Sequence, residues 1–358
     1  MNLQNKTILL ISPEPWNHIF VSKHHYATYL AKRGNKVYFL NPPTAQESCE
    51  ETEYHNVFSV HYQGFIKGLR FFPSLLQRQR IRKKFQKLQK RCRTKFDIVW
   101  SFDNSVFFDF SALPQEVYCI SHIVDLNQDF NTELAASTAN LCIGVIPPLV
   151  QRLAKYNDNS FLIGHGVQKF NNQYESITLP GQNTVKALYI GNMDMPHIDW
   201  SLMNLLVNQC PKVDFVFLGS KSEHNQAINT LIKKANGFYL PSVPAKELPQ
   251  YLITADVLLL AYQLAYDSEY ATPHKMMEYL ASGKMIMATW TAEYEELYQK
   301  ELFYMSKSAD EYLELFKNVV ANLDAWNHTD KKKDRIHYAL NYTYDKLIER
   351  MEQLMSDD

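Results

Sequence analysis

A chain of 358 residues with 46% hydrophobic and 13% aromatic residues, 11 glycines and no internal repeat is globular rather than fibrous or disordered, and is long enough for two domains of roughly 150 to 200 residues each. Its net charge of −1 hides an asymmetry: residues 65–95 hold twelve Lys and Arg and no acid, so the remainder is about 13 charges negative. Five scattered cysteines (Cys49, Cys92, Cys119, Cys142, Cys210), with no paired spacing and no His/Cys cluster, exclude a disulfide framework and a zinc site, and no run of about 18 apolar residues exists to span a bilayer; a cytosolic compartment is expected.

Strand-like and helix-like runs alternate from the start. "TILLIS" (7–12) reads as a first strand and not a signal sequence. A helix near 22–33, "KVYFLN" (36–41), a basic helix near 74–93 and "DIVWSF" (97–102) continue the βαβ rhythm of a parallel sheet. "EVYCIS" (116–121), "NLCIGV" (140–145), a helix after Pro147-Pro148 and "FLIGHG" (161–166) extend it. Periodicity is then lost in a polar stretch carrying the turn signal Pro180-Gly181, which places a domain boundary near 175. The rhythm restarts with "KALYIGN" (186–192), "DFVFLGS" (214–220), "GFYLPS" (237–242), "ADVLLLAY" (255–262), "KMIMATW" (284–290) and "LFYMS" (302–306), and helix follows from about 309 to an amphipathic segment at 335–355. The expected organisation is a domain at 1–175, a second at 176–334 and a terminal helix at 335–358, the two domains being doubly wound α/β units with ligand sites at the carboxyl ends of their strands.

One stretch carries chemistry. In "ATPHKMMEYLASGKMIMATW" (271–290), Pro273 suits the first turn of a helix, and Ala271-Thr272 leaves backbone N–H groups free to meet an anion. Lys275 stands in that first turn, where a cation opposes the helix dipole unless an anion is bound, and Glu278 follows on the same face. A carboxylate beside a phosphate seat can accept two hydrogen bonds from a ribose diol. From spacing alone, a solvated Lys–Glu pair on an ordinary helix stays open as the alternative.

The same stretch resembles the donor-binding signature of the retaining glycosyltransferases of family 4, the group 1 transferases, whose form is Pro-x-Lys-x-x-Glu-Tyr-Leu-Ala-x-Gly-Lys followed by a strand. "LYIGNMDMPHIDWSLMNLL", "LPSVPAKELPQYLITADVLLLAY" and "FLIGHGVQKF" are similar to other landmarks of that family, so the resemblance covers most of the chain and is strongest from about 160 to 300. It implies a GT-B fold: two Rossmann-like, doubly wound parallel-sheet domains facing across a cleft, acceptor in the first and nucleotide sugar in the second, with the last helix crossing back. It also implies donor contacts from Gly191, Asn192, His197, Tyr270, Thr272, Pro273, His274, Lys275 and Glu278. Two departures stand out. Tyr270 occupies the place of a second Glu, and the loop "NMDMPHIDW" lacks the Arg and Lys that face the diphosphate in the family, leaving Asn192 and His197 as weaker substitutes.

After the first strand, "SPEPWNHIFVSKHHYATYLAKRG" holds the position of the family's acceptor loop and nominates Trp16, Lys23, His24 and His25 as acceptor contacts, against ordinary surface polarity. "CISHIVDLNQDF" (119–130) nominates His122 and Asp125 near the reacting sugar, against a strand-end His and a turn Asp. The implied activity is transfer of a sugar from a nucleotide-diphosphate donor, with retention, to a glycan or polyprenyl-linked acceptor in cell-surface polysaccharide or glycoconjugate synthesis. No resident cofactor and, without an Asp-x-Asp pair, no metal are expected. A nucleotide-sugar 2-epimerase and a non-catalytic nucleotide-binding relative remain alternatives. In the basic helix, Ile81, Phe85, Leu88 and Cys92 form one apolar face. Either that face packs in the core beneath a solvated cationic surface, or residues 65–95 dock on an anionic lipid surface at the inner face of a membrane; nucleic acid is not expected, since no aromatic stacking platform accompanies the charge.

Overall fold

The computed structural model describes residues 2–18, 20–126, 130–170, 174–264 and 275–356. The chain divides into two units, one of Met1–Gly166 with Tyr344–Asp358 and one of Val167–Thr343.

In the first unit, the runs rich in Ile, Leu, Val and Phe become the strands of a single sheet: β1 (Thr7–Ile11), β2 (Lys36–Leu40), β3 (Ser48–Glu51), β4 (Val57–His61), β5 (Ile98–Ser101), β6 (Tyr118–Ile123), β7 (Leu141–Gly144) and β8 (Ser160–Leu162). Their order is β3-β4-β2-β1-β5-β6-β7-β8, and every neighbouring pair is parallel except β3 with β4. Ile8 pairs with both Val37 and Ile98, and β1 is buried from Ile8 to Ile11, as a central strand covered on both faces must be. The helix Ser74–Cys92 buries Gln77, Ile81, Phe85, Leu88 and Cys92 against this sheet, so its apolar face belongs to the core and its cations lie outside. All five cysteines carry free thiols.

The second unit is built of β9 (Val185–Ile190), β10 (Val213–Leu218), β11 (Gly237–Leu240), β12 (Val257–Leu260), β13 (Met285–Thr289) and β14 (Tyr304–Ser306), all parallel, in the order β11-β10-β9-β12-β13-β14. This is the doubly wound order in which the connections reverse direction between β9 and β12. The crevice outside the carboxyl ends of those two strands is therefore where a ligand is expected.

The units part earlier than the polar stretch near 175 predicts, because Val167 is buried in the second core and its N–H donates to the Tyr342 carbonyl at 2.9 Å. The return to the first unit comes later than 335, at Tyr344. Arg335 holds the preceding helix Thr329–Leu340 in the second unit: its buried guanidinium donates to the carbonyls of Leu302 (2.7 Å), Gly283 (3.1 Å) and Trp326 (2.8 Å). The terminal helix Tyr344–Leu354 then buries Tyr344, Leu347, Ile348 and Met351, one stripe at helical spacing. Tyr344 stacks on His25 at 4.9 Å, and the Glu352 carboxylate accepts from the Leu3 N–H at 2.6 Å and pairs with Arg33 at 2.5 Å, which ties the chain's end to its beginning. No helix among the described residues is long and apolar enough to cross a membrane.

Candidate functional site

The carboxyl edge of the second sheet gathers a cation, two phenols, an imidazole and a carboxyl around a glycine turn. After β9 the chain turns at Gly191, whose φ of +152° favours glycine. A Cβ there would stand 2.5 Å from the Lys275 Nζ, and one on Gly219, just after β10, would stand 1.9 Å from the Gly191 carbonyl oxygen. Two glycines thus let the β9 and β10 loops approach each other while the lysine head rests against bare backbone. Lys275 opens the helix Lys275–Ser282; its ammonium donates to the Tyr262 hydroxyl at 2.9 Å and lies 4.8 Å above the Tyr189 ring. Tyr262 follows β12 and Tyr189 belongs to β9, so both phenols come from the strands flanking the reversal.

His197 joins them, its ring 5.2 Å from that of Tyr262. Burial lowers its pKa first and the Lys275 charge lowers it further, so the ring is neutral at physiological pH. Glu278 lies partly buried one turn beyond Lys275, and burial pushes its carboxyl up to about 7 against the pull of the ammonium. Its proton is therefore poised to leave when a hydrogen-bond donor arrives. Asn192 takes a local role: its side-chain oxygen accepts the Asp194 N–H at 3.0 Å, a turn that shapes the loop. Asp194 in turn holds the neighbouring loop through Ser222 and Asn225. Tyr270, Thr272, Pro273 and His274 lie outside the described residues. Among the described residues, no group of three or more His, Cys, Asp and Glu is placed to hold a metal.

In the first unit His122, on β6, is buried, and its Nδ1 accepts the Trp100 Nε1–H at 3.2 Å. That bond assigns the ring proton to Nε2. Burial first, then the proximity of His165 and Lys23, pushes its pKa down to about 3, so at neutral pH His122 is a fixed hydrogen-bond donor and not a proton-transfer group. Its ring is held 4.5 Å from Phe102 and 5.6 Å from Tyr26. Asp125 lies two residues past the strand and is exposed, so burial separates the two residues nominated together.

The four residues nominated for the acceptor are all buried. Trp16 sits against Phe39 (5.1 Å) and Phe20 (5.3 Å) with its backbone N–H on Asn41, a core position. His24 is a helix cap: its Nδ1 accepts from the Val21 N–H at 3.2 Å and its Nε2 meets the Pro15 carbonyl at 3.0 Å, so both ring nitrogens are spent on backbone. Lys23 pairs with Glu14 and lends its charge to the surroundings of His122, and His25 lies against Tyr344. Lys23 is the member of this group that reaches the neighbourhood of His122. Sequence reasoning passed over Tyr189, Tyr262 and His165. The available signal was a polar-tipped residue at or just past the carboxyl end of a strand-like run, in "KALYIGN", "ADVLLLAY" and "FLIGHG".

Comparison with protein-family models and with curated proteins finds no match. Among solved structures, sucrose-phosphate synthase from Thermosynechococcus elongatus is similar over 98% of this chain and 98% of its own, with a TM-score of 0.69 at 13% identity. The fold is GT-B. Anabaena HepE in complex with UDP and glucose gives a TM-score of 0.68 at 13% identity over 99% of this chain and 100% of that one. An E. coli trehalose-6-phosphate structure bound with UDP-2-fluoro glucose gives 0.66 at 11% identity over 97% and 98%. The GT-B architecture accounts for the two parallel sheets and for the terminal helix that rejoins the first unit, and it leaves Lys275, Tyr262 and Glu278 at the reversal of the second sheet.

Proposed function

We propose that this GT-B chain is a glycosyltransferase that moves a sugar, with retention, from a nucleoside-diphosphate donor to a glycan or lipid-linked acceptor in cell-surface polysaccharide or glycoconjugate synthesis. The observation that carries this reading is the Lys275 ammonium held on Tyr262 beside the bare Gly191 backbone, with the Glu278 carboxyl one turn away. An ammonium against exposed backbone suits a diphosphate, and stabilising that leaving group is the electrostatic part of the transfer. A carboxyl that ionises near neutrality suits a ribose diol, whose two hydroxyls hydrogen-bond the charged form. No divalent ion is assigned to the seat. UDP or a UDP sugar accompanies two of the similar structures, which makes UDP-glucose the first probe.

The test is a thermal-shift screen against UDP-, GDP-, ADP- and TDP-sugars, in which one nucleotide raises the melting temperature selectively. No shift with any of them would remove the donor site. Turnover without an acceptor to a 2-epimer would replace transfer with epimerisation.

His122 and Asp125 are assigned to the reacting sugar, with Lys23 supporting His122 electrostatically. Asparagine at 122 preserves an acceptor for the Trp100 N–H but removes the Nε2 donor. His122→Asn and Asp125→Asn are each expected to lower transfer tenfold or more, about 1.4 kcal/mol of transition-state stabilisation, with the donor Kd unchanged. His122→Gln, which can place an N–H near the lost one, should retain more activity than His122→Asn. Equal loss of donor affinity in these variants would make the residues structural. Residues 65–95 are further proposed to meet an anionic membrane surface on the acceptor's side.

A further inference from the structure

Large apolar side chains exposed to water are unevenly spread. Ile66 (48% exposed), Phe71 (77%), Phe72 (38%), Leu75 (68%) and Leu76 (45%) fall within a single stretch of the first unit. The segment is built, not loose. Leu69 anchors the short 3-10 turn Leu69–Phe71 in the core, and the buried Gln77 amide donates to the carbonyls of Arg70 (2.9 Å), within that turn, and Phe72 (2.7 Å), just past it. Holding a turn in place while pointing phenylalanine and leucine outward gains nothing for a monomer in water.

Charge surrounds this apolar stretch. Two adjoining hollows share Gly64, Phe65 and Ile66. The larger, about 390 Å³, is lined by Arg70, Phe71 and Phe130, with the Arg70 guanidinium 4.7 Å above the Phe71 ring. The smaller, about 230 Å³, is lined by Arg80, Lys83, Lys84 and Lys87. Ile66 lines both hollows, so the apolar stretch and the cationic helix are neighbours on the first unit. Other cations of the helix are turned to internal work: Arg78 pairs with Asp109 at 3.0 Å, Arg82 donates to the Ala112 carbonyl at 3.1 Å, and Arg91 pairs with Glu47.

We propose that residues 66–76 insert into the headgroup and acyl boundary of an anionic bilayer, Phe71, Leu75 and Leu76 entering it while Arg70, Arg80, Lys83 and Lys87 meet lipid phosphates. The inference rests on the proposal that residues 65–95 face an anionic surface and adds an apolar wedge, so that attachment outlasts the screening of charge. An interfacial anchor needs apolar burial and electrostatic attraction together, and this face supplies both. It does not depend on the donor site.

The experiment uses the full chain and vesicles made of equal parts phosphatidylcholine and phosphatidylglycerol. Phe71→Trp is expected to report a blue-shifted emission on binding, part of which survives about 1 M salt, where the Debye length is about 3 Å. Phe71→Ser with Leu75→Ser and Leu76→Ser should lose at least tenfold in vesicle affinity and keep the wild-type melting temperature, since all three side chains are exposed. Arg80, Lys83 and Lys87 changed to Gln should lower affinity at low salt and leave the residual high-salt binding unchanged. Vesicle binding with unshifted Trp emission and complete release by salt would keep the charged surface and overturn the insertion. Absence of binding to these vesicles would overturn both, and self-association abolished by the three serine substitutions would assign the face to a second copy of the chain.

Discussion

Lys275→Met is expected to raise the Kd for the selected nucleotide sugar by about 30-fold or more, the loss of roughly 2–3 kcal/mol that accompanies removal of a hydrogen bond to a charged group. The lysine head donates to Tyr262 and lies over the Tyr189 ring, contacts that hold it at the Gly191 turn without neutralising it. Methionine can follow the same path between the two rings, so the ligand-free protein should melt within a few degrees of wild type. A second readout is independent of any ligand. Because the Lys275 charge helps to depress the His197 pKa, its removal should move the imidazole titration upward, measurable by NMR. An unchanged His197 titration together with an unchanged Kd would show that Lys275 is a surface charge with no part in binding.

Glu278→Gln should separate stability from binding, and the separation should depend on pH. The folded carboxyl titrates near 7 and not at its ordinary value of 4.5, because burial disfavours the ion. For such a raised group, stability present below the unfolded pKa is lost as pH rises through the folded one, by at most about 3 kcal/mol for a shift of this size and less after solvent screening of a partly exposed group. Glutamine does not ionise. The variant should therefore melt close to wild type near pH 4.5 and progressively higher than wild type between there and about pH 7.5.

Donor binding should run the other way. The diol prefers the carboxylate, so wild-type affinity should fall as pH drops below about 7, by up to tenfold per unit, with protons released on binding when measured calorimetrically in buffers of different ionisation enthalpy. Glu278→Gln should bind at least tenfold more weakly at pH 8 and show neither the pH dependence nor the proton release. A variant that melts lower than wild type at pH 8 and retains its donor affinity would assign Glu278 to the fold.

What could be read directly from the residues was decided by local pattern. Strands covered on both faces, such as "TILLI" and "VLLLA", appear as unbroken apolar runs, so the two parallel sheets and most of their helices were visible in chain order. Lys275 and Glu278 were visible because their chemistry is packed into one helical turn. The antiparallel β3 and its partner β4 were not, since "SCEE" and "VFSVH" at the sheet edge are half-buried and carry no such run. Tertiary structure alone decided which polar groups share a place. Tyr189, Tyr262 and His197 reach Lys275 only because the sheet reverses between β9 and β12, and two strand ends far apart in sequence then open on one edge beside the start of the Lys275 helix. It also decided which polar residues are withdrawn from chemistry and which protonation state another keeps. His24 is consumed by a helix cap and Trp16 by an aromatic cluster, while His122 is held neutral by burial and by charges from His165 and Lys23, none of which its neighbours in sequence could reveal. A residue type and its spacing state what a side chain can do; its pKa and partners are set by desolvation and long-range contact, and those exist only in the folded chain.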